Sequence, residues 1–176
     1  MHRIGDRRIA CRSSSAMIRG IVTAGGVGLI PLAPGTFGSI VAIPLAWLLH
    51  MVGGIWLVVI ATVAIFAIGL WASAIYLQGR KEDPSEVVID EVVGQMIALW
   101  PLSWGLTMAG TDAHVFPWPG WLGAFLAFRF FDILKPPPIR WVDRPGAFGV
   151  MMDDVVAGLF AGAAVFITAR IAHGGL

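Results

Sequence analysis

IWLVVIATVAIFAIGLWASAIYL, residues 55–77, runs for 23 residues without a charge. A helix needs about 20 apolar residues to cross the hydrocarbon core of a bilayer, so this stretch predicts a transmembrane helix. The rest of the chain agrees. Of its 176 residues, 57% are hydrophobic and 13% charged, against about 25% charged in soluble domains. A net charge of +1, with no Lys/Arg block interleaved with aromatics, gives no reason to expect nucleic acid. The single cysteine, Cys11, excludes an internal disulfide and any CxxC motif.

Working outward toward the N-terminus, Gly53 and Gly54 predict a tight turn. Residues 40–52, with Pro44, predict a short helix that is tilted or an incomplete span. PLAPGTFGS, residues 31–39, reads as an irregular loop. The glycine-interrupted segment 17–30 is too short to span and is expected at the interface or tucked against the bundle. Residues 1–16, MHRIGDRRIACRSSSA, read as a mobile basic tail on the cytoplasmic side, with Met17 as an alternative start.

Toward the C-terminus, QGRKEDPSE (78–86) is a polar loop. Residues 87–108 predict a helix with Asp90 and Glu91 in its first turn. A loop at 109–117 leads to a helix over 118–134 carrying Arg129 and Asp132. KPPPI ends it, because consecutive prolines remove donors and clash with the preceding turn. Residues 151–172 predict a last helix with Asp153 and Asp154 in its first turn. The expected fold is all-α: residues 17–176 form one polytopic membrane bundle of four to five main helices.

With the tail cytoplasmic and the helices alternating, nearly every Lys and Arg falls on the cytoplasmic side. Arg170 lies at the opposite face and Arg129 within a helix, a strong positive-inside bias. The same arrangement brings PGTFGS, Asp90, Glu91, Asp132, Asp143, Asp153 and Asp154 to that side. Charge is expensive to keep near lipid, yet FRFFDILKPPPIRWVDRPGAFGVMMDD, residues 128–154, concentrates it. These residues point to a metal-and-phosphate site at the cytoplasmic mouth.

One acid in a helix's first turn is explained by the helix dipole; the adjacent pairs Asp90–Glu91 and Asp153–Asp154 beside apolar residues are less so. Arg129, Asp132 and Lys135 form either an ion-pair stripe or a metal ligand flanked by phosphate-binding cations. Arg140 and Arg144 suit bidentate phosphate recognition. Oxygen-only ligands suit Mg²⁺. The PGTFGS segment offers backbone N–H groups and the hydroxyls of Thr36 and Ser39 to an anion, or is a plain turn with Ser39 as N-cap. The four histidines are scattered and argue against a histidine nucleophile. The P-loop, the DxDx[TV] pattern and the GxSxG elbow are absent.

PLAPGTFGS (31–39), IDEVVGQ (89–95), FRFFDILKPPPIRWVDR (128–144) and GVMMDDVVAG (149–158) resemble, in order and spacing, the phosphatidylglycerophosphatase A family, over about residues 24–165. The resemblance implies a Mg²⁺-dependent lipid phosphatase of the bacterial inner membrane, its site facing the cytoplasm, hydrolysing phosphatidylglycerophosphate to phosphatidylglycerol and phosphate. With that activity, Asp90, Glu91, Asp132, Asp153 and Asp154 are expected to hold the metal, directly or through water. Asp143 is expected behind them or carrying a proton. Lys135, Arg140 and Arg144, with Thr36 and Ser39, would bind phosphate, and Arg129 would orient Asp132. The rival from another class is an ion or proton transport protein whose path the acids and Arg129 would line. A third is a non-catalytic assembly subunit. Gly158 and Gly162, a small-xxx-small pair, suit helix packing or self-association into a homo-oligomer.

Overall fold

A computed structural model describes residues 14–80, 84–142, 144–172 and 174, and all regular structure among them is helical. Most of the expected tail, and Asp143, lie outside these residues. Residues 14–16, read as the end of the tail, are helical and belong to helix α1, described over residues 14–22. Ile18 and Val22 of α1 are buried against Ala72, Leu77, Val87 and Ile89. The Val88 N–H donates to the Val22 carbonyl at 2.9 Å. Segment 17–30 is thus tucked against the bundle, through α1 and a single 3-10 turn, Val27–Leu29.

Helix α2, Pro34–Tyr76, is broken at Gly53 (φ −149°, ψ 20°) and Gly54 (φ 58°, ψ −155°). The Gly54 conformation is one that a β-carbon disfavours, and there the chain doubles back. Gly38 in the first limb and Gly69 in the second both abut the Val88–Ile89 backbone and side chains, so the limbs run side by side. Ala42 and Ala46 of one limb and Val58 of the other share a buried cluster. The first limb starts earlier than its glycines and prolines predict. Pro34 is the first helical residue, where its missing N–H is harmless and its fixed φ is favourable.

The segment expected as one helix over 87–108 is two: α3, Ile89–Ala98, and α4, Trp100–Met108. Pro101 cannot donate to the Ile97 carbonyl, which loosens the helix at Leu99. Helix α5, Trp118–Leu134, keeps its expected bounds. After the prolines comes a single turn, α6, Ile139–Val142. Helix α7, Ala147–Ala172, begins four residues before its expected start. Asp153 and Asp154 therefore sit in its second turn, not its first.

α3 is the central element, packed between α2, α5 and α7. Its closest crossing is with α7. A β-carbon on Gly158 would collide with the Gly94 carbonyl, and one on Gly94 would meet Phe128 at 2.5 Å and the Asp154 carbonyl at 2.7 Å. Small residues allow backbones this close. Gly158 and Gly162 serve helix packing inside the chain, against Gly94 and the Ile97–Pro101 break. The outer faces stay apolar: Trp56, Ile60, Val63, Ile68 and Trp71 along α2, and Phe166 and Ile167 on α7, are exposed. Both α2 and α7 are long and apolar enough to cross a membrane.

Candidate metal and phosphate site

The crossing of α3 and α7 gathers three carboxylates. Asp90 and Glu91 come from the first turn of α3, and Asp154 from the second turn of α7. One oxygen from each lies within 4.8 Å of the others. Asp90 is 7% exposed and Asp154 3%. Burying like charges together is strongly unfavourable unless something compensates them. Asp90 Oδ1 and Glu91 Oε2 are buried with no hydrogen-bond donor. Oxygen-only ligands with uncommitted lone pairs are the donor set of a hard divalent cation, so the residues fit such an ion.

Two further acids border this trio, each held by a cation. Asp132 adds its negative charge to the surroundings of Glu91 and Asp154 and accepts from Arg129 Nη1 at 2.6 Å. Asp153 accepts from Lys135 Nζ at 2.5 Å and from the Asp154 N–H at 3.0 Å. Lys135 is placed by the proline run. Helix α5 cannot continue into Pro136, so Lys135 caps it in the left-handed region (φ 42°, ψ 56°), its N–H donating to Phe131. A non-glycine residue held in that region is strained and persists where its surroundings hold it. The ion pair to α7 is one such hold. Arg140 on α6 and Arg144 before α7 are exposed, and neither makes an ion pair among the described residues.

The start of α2 closes the other side. Gly35 faces the Glu91 carboxylate so closely that a β-carbon would collide with Oε1, and Gly38 packs on Val88 and Glu91. PGTFGS is therefore the first turns of a helix rather than a loop ahead of one, and Ala33, not Ser39, is the N-cap. The Thr36 and Phe37 N–H groups already donate to the Ala33 carbonyl, and the Ser39 hydroxyl donates to the Gly35 carbonyl at 2.9 Å. Thr36 is half-buried.

Sequence reasoning passed over three residues. Gly35 and Gly94 set how closely α2 and α7 approach α3. Gln95 is completely buried, and neither atom of its amide has a partner. It follows Glu91 by four residues, on the same face of α3. That spacing within IDEVVGQ was the available signal.

The family profile described as phosphatidylglycerophosphatase A matches residues 20–169. The chain belongs to the phosphatidylglycerophosphatase A family. Family membership makes it a phosphatidylglycerophosphatase, a phosphoric monoester hydrolase. The phosphatidylglycerophosphatase A of Haemophilus influenzae is 36% identical over 144 residues, 80% of this chain and 82% of the relative. That of Escherichia coli is 36% identical over 161 residues, 81% and 78% of the two chains. A Bacteroides thetaiotaomicron protein named "Putative phosphatidylinositol-3-phosphatase" is 38% identical over 146 residues, 80% of this chain and 86% of the relative. No solved structure matches the chain. Of the family's charged motifs, the structure joins IDE on α3 to DD on α7, with FRFFDILK on α5 beside them.

Proposed function

We propose that this phosphatidylglycerophosphatase works with a divalent cation, Mg²⁺, held by Asp90, Glu91 and Asp154. The observation that carries the reading is the buried convergence of these three carboxylates with two oxygens left unpartnered. When bound, Mg²⁺ polarises phosphoryl oxygens and makes a bound water more acidic.

The chain's own residues do the rest. Asp132 and Asp153 extend the acidic set and complete the cation's surroundings directly or through water. Arg129 and Lys135 fix them in place, and both cations add positive potential where the phosphate's charge must be neutralised. Arg140 and Arg144 grip phosphate oxygens at the rim, a task suited to exposed guanidinium forks. Thr36, next to Gly35 in the first turn of α2, offers its hydroxyl to the phosphate, and Ser39 shapes that turn through its bond to Gly35. Asp143 accepts a proton from water or passes one to the departing lipid hydroxyl. Catalysis is then chiefly positioning and electrostatic stabilisation.

The substrate is phosphatidylglycerophosphate, whose phosphate stands at headgroup level. The site faces the cytoplasm, and the chain is a multi-pass protein of the bacterial inner membrane. The cations support this orientation. Arg19, Arg80, Lys135, Arg140 and Arg144 lie toward the end of the bundle carrying the acids, and Arg170 is near the far end of α7.

The test is phosphate release by purified protein in detergent, with Mg²⁺ or with a chelator. The substrates are phosphatidylglycerophosphate, phosphatidic acid, phosphatidylinositol 3-phosphate and a soluble phosphomonoester. Mg²⁺-dependent release from the first alone is expected. Equal release from phosphatidylinositol 3-phosphate would overturn the substrate assignment, and release undiminished by the chelator would overturn the metal.

A further inference from the structure

Below the acids, where the second limb of α2, α3–α4 and α7 meet, the bundle surface carries two apolar grooves in line. The near one, about 260 Å³, lies between Val63 and Phe66 on α2, Val93 and Ile97 on α3, and Met152 and Val155 on α7. The far one, about 360 Å³, lies between Trp56, Val59, Trp104 and Phe166. Trp100 belongs to both.

Three observations tie the near groove to the site. The first is register. Asp90, Val93, Ile97 and Trp100 follow one another at helical spacing on a single stripe, so the groove's α3 wall leads straight up to a carboxylate of the acidic trio. On α7, Met152 and Val155 flank Asp153 and Asp154. The second is depth. Asp90 to Trp100 is a rise of about 15 Å at helical pitch, the depth of one leaflet in a hydrocarbon core of about 30 Å. The third is the floor. The Trp100 indole N–H donates to Thr62 Oγ1 at 3.2 Å, and Thr62 Oγ1 donates to the Val58 carbonyl at 2.7 Å. The tryptophan is thereby pinned as a partition between the grooves.

We propose that the near groove receives one acyl chain of the phospholipid substrate while its phosphate is at the acids, and that Trp100, held by Thr62, is the stop that sets the chain length accepted. The inference rests on the phosphatidylglycerophosphatase reading. It gives that site a second, apolar half, in which the tail orients the headgroup.

The experiment uses the full chain in detergent with a series of phosphatidylglycerophosphates of increasing saturated chain length, reading kcat/KM for each. Val63→Trp adds bulk from the exposed edge of the near groove. It should lower kcat/KM for the longer chains about tenfold and spare the shortest, a discrimination of the size apolar pockets achieve. Trp100→Ala removes the stop and should move the optimum toward longer chains. Thr62→Val, which frees the indole with little change of shape, should broaden the optimum and serves if Trp100→Ala does not fold. Variants that change every chain length equally, or a parent indifferent to chain length, would overturn the groove's role while leaving the reaction standing. A parent that releases phosphate from no member of the series would overturn the underlying reading and the inference with it.

Discussion

Gly35, in the first turn of α2, stands directly against the carboxylate of Glu91, in the first turn of α3, with no room for a β-carbon before Oε1. The atom it would strike is the tip of a side chain, not backbone, so the fold can accommodate a methyl group by moving that carboxylate. Gly35→Ala should therefore leave the melting temperature in detergent nearly unchanged. It should lower phosphate release by about 10–100-fold, the usual loss when a metal ligand's support is disturbed, and raise the Mg²⁺ concentration needed. Unchanged Mg²⁺ dependence would detach Glu91 from the cation.

Asp90→Asn removes one of three buried, converging negative charges. Without metal that charge is a liability; in the proposed site it is a ligand. In chelator the variant should melt above the parent. On adding Mg²⁺ the parent should gain stability, as any ligand that binds only the folded state confers, and the variant should gain little. Turnover should fall by at least about 10²–10³-fold. An equal Mg²⁺ gain in parent and variant would place the ion elsewhere.

Gln95 separates a structural from a functional use of buried polarity. A buried amide with no partner destabilises, and an apolar replacement of similar shape is neutral or stabilising. Gln95→Leu should thus melt at or above the parent's temperature. If the amide supports Glu91 one turn away, the same variant loses about 10–100-fold in turnover. Full activity in a stabilised variant would make Gln95 a packing residue only.

Outside the spans, Glu86 ties the start of the bundle together, accepting from Arg19 Nη2 at 2.9 Å and from the Tyr76 hydroxyl. Arg80 lies over the Tyr76 ring at 4.4 Å. The Tyr76 hydrogen bond, then Arg19, hold the Glu86 carboxyl below its ordinary range. A folded-state value lowered in this way contributes stability above the unfolded pKa and loses it as pH falls through the folded one. Glu86→Gln should melt below the parent at neutral pH and level with it in acid. A gap that persists in acid would show that the carboxylate's charge is not what holds α1.

The sequence disclosed most where punctuation was strong. Three prolines ended α5 on the expected residue, and Gly53–Gly54 marked the reversal in α2. It disclosed less where a breaker had another use. Pro34 and Gly35 read as loop but open a helix, and α7 starts four residues before its expected first residue and takes in Gly149, which lies against the Arg144 backbone. The acids Asp90, Glu91 and Asp154, which the structure gathers, were legible as charge stranded among apolar residues. Its inner arrangement was not. Asp90, Glu91 and Asp154 converge because α3 and α7 cross at Gly94 and Gly158. Lys135 reaches Asp153 across a turn that includes a cis Pro137–Pro138 bond, a contact no local pattern encodes. The Arg129–Asp132 pair, three residues apart on one helix, was visible from spacing alone.

The Gly94–Gly158 crossing also bears on which ion can serve. Two backbones in contact fix the separation of the turns that carry Asp90 and Asp154, so the mouth of the carboxylate trio cannot widen by sliding side chains past each other. In the proposed metal site, a gauge set in main-chain atoms would suit the small, strictly octahedral Mg²⁺ better than Ca²⁺, which needs longer bonds and more ligands. Even one added methyl at Gly158 would collide with the Gly94 carbonyl and reset that gauge, from a position outside the trio itself.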